Sequence, residues 1–269
     1  MGLRMKRSVN LRPSRTESRI GQGSPRLKSV EMSDTLYLSL WYPNLRLDAL
    51  PDKLTAVLGA FAAHGGEPRV YSATVWPVNW SEAPVFQRIY GRMGGEPGSS
   101  PGAEPRHAVA EALELLHDDY AYEFQIGWSL WEWEEADAGP STSRPAQSAP
   151  TSAQDDNSTL NASRETRVLG RWARGPRLVR VTGYGPLFDE GAYEQDGHIR
   201  IDLGSDAPFL EEDADLDQVG ARHVEENVRQ LVELAAGVEK ASGATARLLW
   251  SELGESLAQR LAERLGMRN

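Results

Sequence analysis

The sequence predicts an α/β or α+β fold in which helices pack on one mixed β-sheet. One observation is a strand–helix–strand–helix pattern that occurs twice, from TLYLSLW through RVYSATVW to APVFQRIYG, and from HIRIDLG through ATARLLW to ESLAQRLAERL. The second is a long strand between the two copies, YAYEFQIGWSLWEWEE, in which apolar and polar residues alternate. Because a helical crossover usually joins parallel strands, we expect each copy to contribute parallel strands to the sheet.

The first copy begins with a strand whose apolar residues alternate, Leu36, Leu38 and Leu40. Asp48 can cap the helix that follows, and the helix ends at the glycine pair 65–66. The strand 69–76 comes next. A short helix is predicted around 85–90 and a longer amphipathic helix around 109–116.

The central strand carries a change of phase, because Trp128 and Leu130 alternate in step whereas Trp131 and Trp133 take the opposite phase. We expect a β-bulge there. Acidic residues end this strand and basic residues fill the next stretch, which predicts an antiparallel pair of strands with opposite charges across it. The acidic residues are Glu132, Glu134 and Glu135, and the basic ones are Arg167, Arg171, Arg174, Arg177 and Arg180.

Residues 136–166 are rich in Ser, Ala, Pro and Thr, and we predict that they form a disordered loop inserted at the tip of this hairpin. A linker between two domains is the alternative. The second copy then opens with apolar residues at Ile199, Ile201 and Leu203, and its helix is predicted over 218–241. It differs from the first copy chiefly by an acidic insertion, residues 205–217.

Residues 1–31 form a basic tail that carries eight Lys or Arg against Glu17 and Glu31, and we predict that it is disordered. A start of translation at Met32, a targeting segment and a binding arm are alternative interpretations. The predicted organisation is therefore a tail, 1–31, and a single globular domain, 32–269, that contains the loop 136–166.

Composition excludes several classes of chemistry. The chain has no cysteine, so disulfides, thiolate zinc sites, iron–sulfur clusters and cysteine nucleophiles are excluded. The net charge is -10, and the tail contributes +6, which leaves -16 for residues 32–269. That charge favours a basic protein partner over nucleic acid or a membrane surface. No apolar run of membrane-spanning length or signal peptide is present, so we predict a cytoplasmic protein.

Motifs that bind cofactors or metals are incomplete. MGGEPG lacks the Lys-Ser/Thr of a P-loop, and EEDADLD lacks the central glycine and final Glu of an EF-hand. We therefore predict no cofactor and no metal. If the chain is an enzyme, the residues that favour acid–base chemistry at strand ends are Glu82, Glu252 and His198.

Tryptophan and acidic residues predict a binding surface instead. Trp131, Trp133 and Trp172 lie beside charged residues, which is typical of a protein–protein hot spot. Five acidic residues of the insertion complete the candidate set: Glu211, Glu212, Asp213, Asp215 and Asp217. We expect a non-catalytic acidic protein that binds another protein, for example an immunity-type protein that neutralises a basic toxin or enzyme. A hydrolase that uses the carboxylates at the strand ends and a sensor of a small ligand are the alternatives.

Overall fold

The alternating strands of the sequence lie in one seven-stranded sheet in the computed structural model, which describes residues 34–93, 101–135, 170–210 and 218–252. The order across the sheet is β3-β2-β4-β5-β6-β1-β7. In chain order the strands are β1 (Thr35–Trp41), β2 (Gly66–Pro77), β3 (Phe86–Ile89), β4 (Tyr120–Glu135), β5 (Gly170–Tyr184), β6 (Ile199–Ser205) and β7 (Ala246–Ser251).

Every pairing between these neighbouring strands is antiparallel, so the prediction of a mixed sheet with parallel neighbours is wrong. The two strands that the long helix joins in each copy, β1 with β2 and β6 with β7, do run in the same direction. However, β4, β5 and β6 lie between β1 and β2, and β1 lies between β6 and β7. A crossover determines the direction of the strands that it joins but leaves open which strands fill the positions between them.

Five helices in the described residues accompany the sheet: α1 (Leu50–Ala63), α2 (Pro105–Ala112), α3 (Ala192–Gln195), α4 (Ala207–Leu210) and α5 (Gln218–Ser242). Short 3-10 turns, Leu47–Ala49 and Phe188–Gly191, precede α1 and α3. Gly65, with φ of 79°, follows α1 and provides the left-handed conformation that ends it. The predicted helix around 85–90 is wrong, because residues 86–89 form β3 and pair with the edge of β2. The predicted last helix of the second copy, 255–265, lies outside the described residues.

The main core lies on one face of the sheet. In one cross-strand row on this face, all five side chains are apolar and fully buried: Leu38, Ile201, Val181, Phe124 and Ala73. Apolar residues of α1, α2, α4 and α5 pack against this face in the same cluster. We call it the helix face.

β4 and β5 pair along their whole length, from Ala121 with Tyr184 to Glu135 with Gly170, without a shift of register. The predicted bulge is therefore wrong, because regular alternation is enough to place Trp131 on the face opposite Trp128. The residues that connect the two strands, 136–169, lie outside the described residues, as does the tail, 1–31.

Two of the predicted charge pairs form across these strands. Arg171 Nη2 lies 3.2 Å from Glu134 Oε2, and Arg177 Nη1 lies 3.3 Å from Glu132 Oε1. Arg174 and Arg180 instead pair with Glu226 on α5 and with Asp202 on β6. The opposite charges of the two stretches therefore predicted that these strands are neighbours. The partners of individual arginines depend on contacts with other elements of the fold.

α5 takes the place of a strand where β4 extends beyond β2. The last pair between the two strands joins Gly66 and Trp128. Beyond it, Asn227 Oδ1 accepts a hydrogen bond from the Trp131 amide at 2.9 Å, and Asn227 Nδ2 donates to the Trp131 carbonyl at 2.8 Å. Gln230 Nε2 donates to the Ser129 carbonyl at 3.1 Å. These side chains satisfy backbone groups that a neighbouring strand would otherwise pair.

Candidate functional site

The face of the sheet opposite the helix face is polar, and we call it the polar face. Residues from successive strands form two adjacent rows there. One row runs through Thr74, Glu123, Thr182, Arg200 and Ser39. The other runs through Ser72, Gln125, Arg180, Asp202, Tyr37 and Trp250. Strand pairing thus gathers charged groups from three strands, β4, β5 and β6.

These rows form the floor of a pocket of about 380 Å³, which we call the polar pocket. Its size is within the range typical of sites for small molecules. Eight residues line it, and four of them carry charged side chains: Tyr37, Trp76, Trp80, Glu123, Arg180, Thr182, Arg200 and Asp202.

Ion pairs hold three of the four charges. Arg180 Nη2 donates to Asp202 Oδ2, and the Gly204 amide donates to Asp202 Oδ1 at 2.8 Å. Arg200 Nη1 donates to Asp196 Oδ2, and its guanidinium carbon lies 5.3 Å from the centre of the Tyr37 ring. Such contacts orient the guanidinium groups and leave some of their N–H donors free.

Glu123 is the exception. Among the described residues, its carboxylate has no hydrogen bond and no ion pair, although it lines the pocket with both arginines. Burial raises the pKa of Glu123, and the positive charge of Arg180 opposes this rise. A partly desolvated carboxylate without a partner is typical of a binding or catalytic site.

Aromatic side chains form one wall of the polar pocket. The ring centres of Trp76 and Trp80 lie 5.7 Å apart, and Trp80 packs edge-on against Phe188 at 5.1 Å. Phe188 belongs to the turn before α3, where Asp189 and Glu190 adopt positive φ values of 48° and 35°. This strained turn and α3 cover one end of the polar face.

A second aromatic pair lies at the opposite side of the pocket. Tyr37 stacks on Trp250 with ring centres 4.6 Å apart, and its hydroxyl donates to Glu252 Oε1 at 2.8 Å. Burial and the hydrogen bond to Glu252 raise the pKa of Tyr37 to about 12. Trp250 Nε1 donates to Ser39 Oγ at 3.0 Å. Glu252 therefore contacts the lining of the pocket, through Tyr37.

The other two candidate catalytic residues have different surroundings. His198 is buried, and its Nδ1 accepts a hydrogen bond from the Tyr42 amide at 3.1 Å. Its ring stacks on Tyr193 at 4.0 Å, and burial lowers the pKa of His198. Glu82 is exposed in the turn that follows β2. No hydrogen bond or ion pair joins any two of Glu82, Glu252 and His198.

The predicted aromatic binding residues lie together at the far end of β4 and β5. Trp133 and Trp172 are direct cross-strand partners, with ring centres 5.9 Å apart. Trp131 stacks on His223 of α5 at 3.9 Å, and Trp172 lies 5.5 Å from the same imidazole. We call these four residues the tryptophan cluster. Trp133 is 43% exposed.

A second pocket, of about 430 Å³, opens beside the tryptophan cluster. The three tryptophans line it together with residues of β4, β5 and the segment that enters α4: Glu132, Arg177, Ser205, Ala207 and Pro208. The predicted acidic binding residues, Glu211, Glu212, Asp213, Asp215 and Asp217, lie outside the described residues.

Sequence reasoning did not select Glu123, Arg180 or Asp202 as functional residues. Each occupies a polar position of an alternating strand, which is also the pattern of an ordinary solvated face. The cross-strand register was the missing information, because it places the three side chains beside each other. The spacing of residues within a single strand could not supply it.

Within the described ranges, no group of three or more His, Asp or Glu side chains is arranged to hold a metal ion. None of the helices described is long and apolar enough to cross a membrane. No protein-family model, curated protein or solved structure matches the chain. Inferences about function therefore depend on the two pockets and their chemistry.

Proposed function

We propose that this chain is a non-catalytic protein-binding protein whose tryptophan cluster contacts a basic partner protein. An immunity-type protein that neutralises a basic toxin or enzyme is one example of this class. The observation that carries the proposal is the position of Trp133, which is 43% exposed, next to two further tryptophans and an open pocket. Binding energy at protein interfaces concentrates in such aromatic residues beside concave surfaces.

The cluster is supported rigidly, which lowers the entropy that binding would cost. β4 and β5 pair beneath it, and Asn227 ties α5 to the backbone of Trp131. The Trp133 indole covers Gly170 so closely that a Cβ there would come within 2.5 Å of the ring. The tryptophans are therefore held in place before a partner arrives.

Charge favours a basic partner. The whole chain carries a net charge of -10, and the five candidate acidic residues of the insertion begin at Glu211, three positions after Pro208 of the pocket lining. Complementary charge around an aromatic centre increases the rate of association and excludes acidic competitors.

The first experiment tests the aromatic contact. The wild-type chain, Trp133→Ala and Ile89→Ala would each be immobilised and exposed to a cell extract of the organism that encodes the protein. Each retained protein would then be purified, and its affinity for the three chains would be measured. Ile89 is the matched control, because it is an apolar residue, 72% exposed, on the edge strand β3. We expect a basic protein whose Kd rises about thirtyfold or more with Trp133→Ala and stays unchanged with Ile89→Ala. A partner that binds both variants equally would contradict the proposal.

The second experiment tests the charge. Neutralising Glu211, Glu212, Asp213, Asp215 and Asp217 together should weaken the same complex and flatten the dependence of its Kd on salt concentration. If the salt dependence of the Kd is unchanged, the acidic insertion takes no part in the interface.

The hydrolase alternative has less support, because no contact joins its three candidate residues. The alternative of a small ligand is supported by a specific feature, the polar pocket, which is a separate site.

A further inference from the structure

The polar pocket contains a carboxylate that the described part of the protein does not neutralise. Glu123 lies in the middle of a cross-strand row, between Thr74 and Thr182, and it has no hydrogen bond or ion pair with a described residue. A partly buried carboxylate is stabilised by a positively charged or hydrogen-bond-donating group. The pocket therefore has a place for the cationic end of a ligand.

The same pocket has a place for an anionic end. Arg180 and Arg200 line it, and each is held by a carboxylate through one hydrogen bond, to Asp202 and to Asp196. The Arg180 side chain is 52% exposed, so its remaining N–H donors are accessible. A guanidinium group fixed in this way is well suited to bind a carboxylate.

The walls of the pocket are aromatic. Trp76 and Trp80 lie on one side and Tyr37 on the other, so an apolar portion of a ligand can pack between rings while its polar groups face the floor. Aromatic faces also attract an ammonium group, which adds to the effect of Glu123.

We propose that the polar pocket binds a small zwitterion that carries both an ammonium and a carboxylate group, as a free amino acid does. Glu123 binds the ammonium group, Arg180 and Arg200 bind the carboxylate, and Trp76, Trp80 and Tyr37 contact the side chain. The lining offers both a carboxylate without an ion pair among the described residues, Glu123, and the guanidinium groups of Arg180 and Arg200, so a ligand with both charges matches it better than a simple cation or anion. This site shares no residue with the tryptophan cluster, and the inference does not depend on the proposed protein partner.

Calorimetric titration of the full chain with each standard protein amino acid tests the proposal. For the tightest binder, two analogues would then be titrated, one without the carboxylate and one without the amine. We expect saturable binding of at least one amino acid, with each analogue at least about tenfold weaker. Absence of binding by every amino acid, or equal affinity for the amino acid and both analogues, would overturn the proposal.

Glu123→Gln provides the decisive variant. It keeps the shape of the side chain and removes the charge, so the amino acid should bind about tenfold more weakly while the analogue without an amine binds as before. Glu233→Gln, an exposed change on α5, is the matched control and should leave all affinities unchanged. Circular dichroism of each variant excludes unfolding as the cause. If folded Glu123→Gln still distinguishes the amino acid from the analogue without an amine, the proposed role of Glu123 is wrong.

Discussion

The helix face and the polar face of the same sheet show how one alternating pattern serves two purposes. On the helix face, neighbouring strands contribute only apolar side chains to the central row, and four helices cover them. On the polar face, the same strands contribute two arginines and two carboxylates, and a pocket remains between aromatic walls. Consecutive residues of one strand therefore have opposite surroundings.

The difference separates the residues that we expect to stabilise the fold from those of the proposed ligand site. Burial of apolar surface dominates folding free energy, so the helix face should carry most of the stability. Partly buried charges add little stability and cost desolvation, and their concentration on the polar face is the basis of the proposed ligand site. Four predictions test this division, beginning with the largest expected effect.

Neighbouring residues of β4 provide the sharpest test. Phe124 is fully buried on the helix face, whereas Gln125 faces the polar side. Phe124→Ala should lower the free energy of unfolding by about 3–5 kcal/mol because it leaves a cavity. Gln125→Ala should change it by less than about 0.5 kcal/mol. Urea unfolding of both variants measures the difference, and similar losses would contradict the division between the faces.

Asn227 tests the place where a helix replaces a strand. Its amide bonds both backbone groups of Trp131 and donates to the Pro208 carbonyl at 2.9 Å. Asn227→Ala leaves these groups without partners and should lower the free energy of unfolding by about 1–3 kcal/mol. Arg229→Ala is the control, since its ion pair with Glu225 is solvent-exposed and contributes less than about 0.5 kcal/mol. If thermal unfolding shows equal losses of stability for Asn227→Ala and Arg229→Ala, the hydrogen bonds of Asn227 contribute no more than an exposed ion pair.

We expect the titration of Glu123 to make the folded protein less stable as pH rises. Burial raises its pKa above the ordinary value of 4.5, so the folded state binds the proton more tightly than the unfolded state. Stability is therefore lost as pH rises from about 4.5 through the folded pKa. Glu123→Gln should match the wild type in acid and be more stable at neutral pH. Melting temperatures of the wild type and Glu123→Gln across this pH range test the prediction. A difference in melting temperature that stays constant with pH would show that Glu123 does not titrate in this range.

We expect His198 to have a smaller effect in the opposite direction, so that stability decreases as pH falls. Burial lowers the pKa of His198 below its ordinary value of 6.5, so stability is retained above that value and lost as pH falls from it through the lower folded pKa. His198→Asn keeps an acceptor for the Tyr42 amide and should remove this loss. Melting temperatures of the wild type and His198→Asn at neutral pH and in mild acid measure this loss. A profile that His198→Asn does not alter would place the acid sensitivity elsewhere.

The sequence predicted local elements better than their arrangement. The alternation of β1 and β6 and the apolar stripe of α5 were visible, because side-chain direction within one element follows its own period. The segment 86–89 was predicted as a helix and forms β3, because pairing with the edge of β2 outweighs a weak local preference.

Candidate sites divide in the same way. Trp131, Trp133 and Trp172 could be selected from composition, and the structure places them in contact with one another or with His223. His223 itself carried no signal, since its contact with Trp131 spans two distant elements. Glu123 was equally hidden, because its surroundings come from β5 and β6.

The sequence by itself determined that the strands have two chemically different faces, that α1 and α5 carry apolar stripes and that cysteine chemistry is absent. Tertiary structure alone decided that β1 lies between β6 and β7, and that Glu123 shares a pocket with Arg180 and Asp202. The physical reason is the range of the interactions. The period of a strand acts over a few residues, whereas strand order depends on how the whole chain buries its apolar surface and pairs its backbone groups.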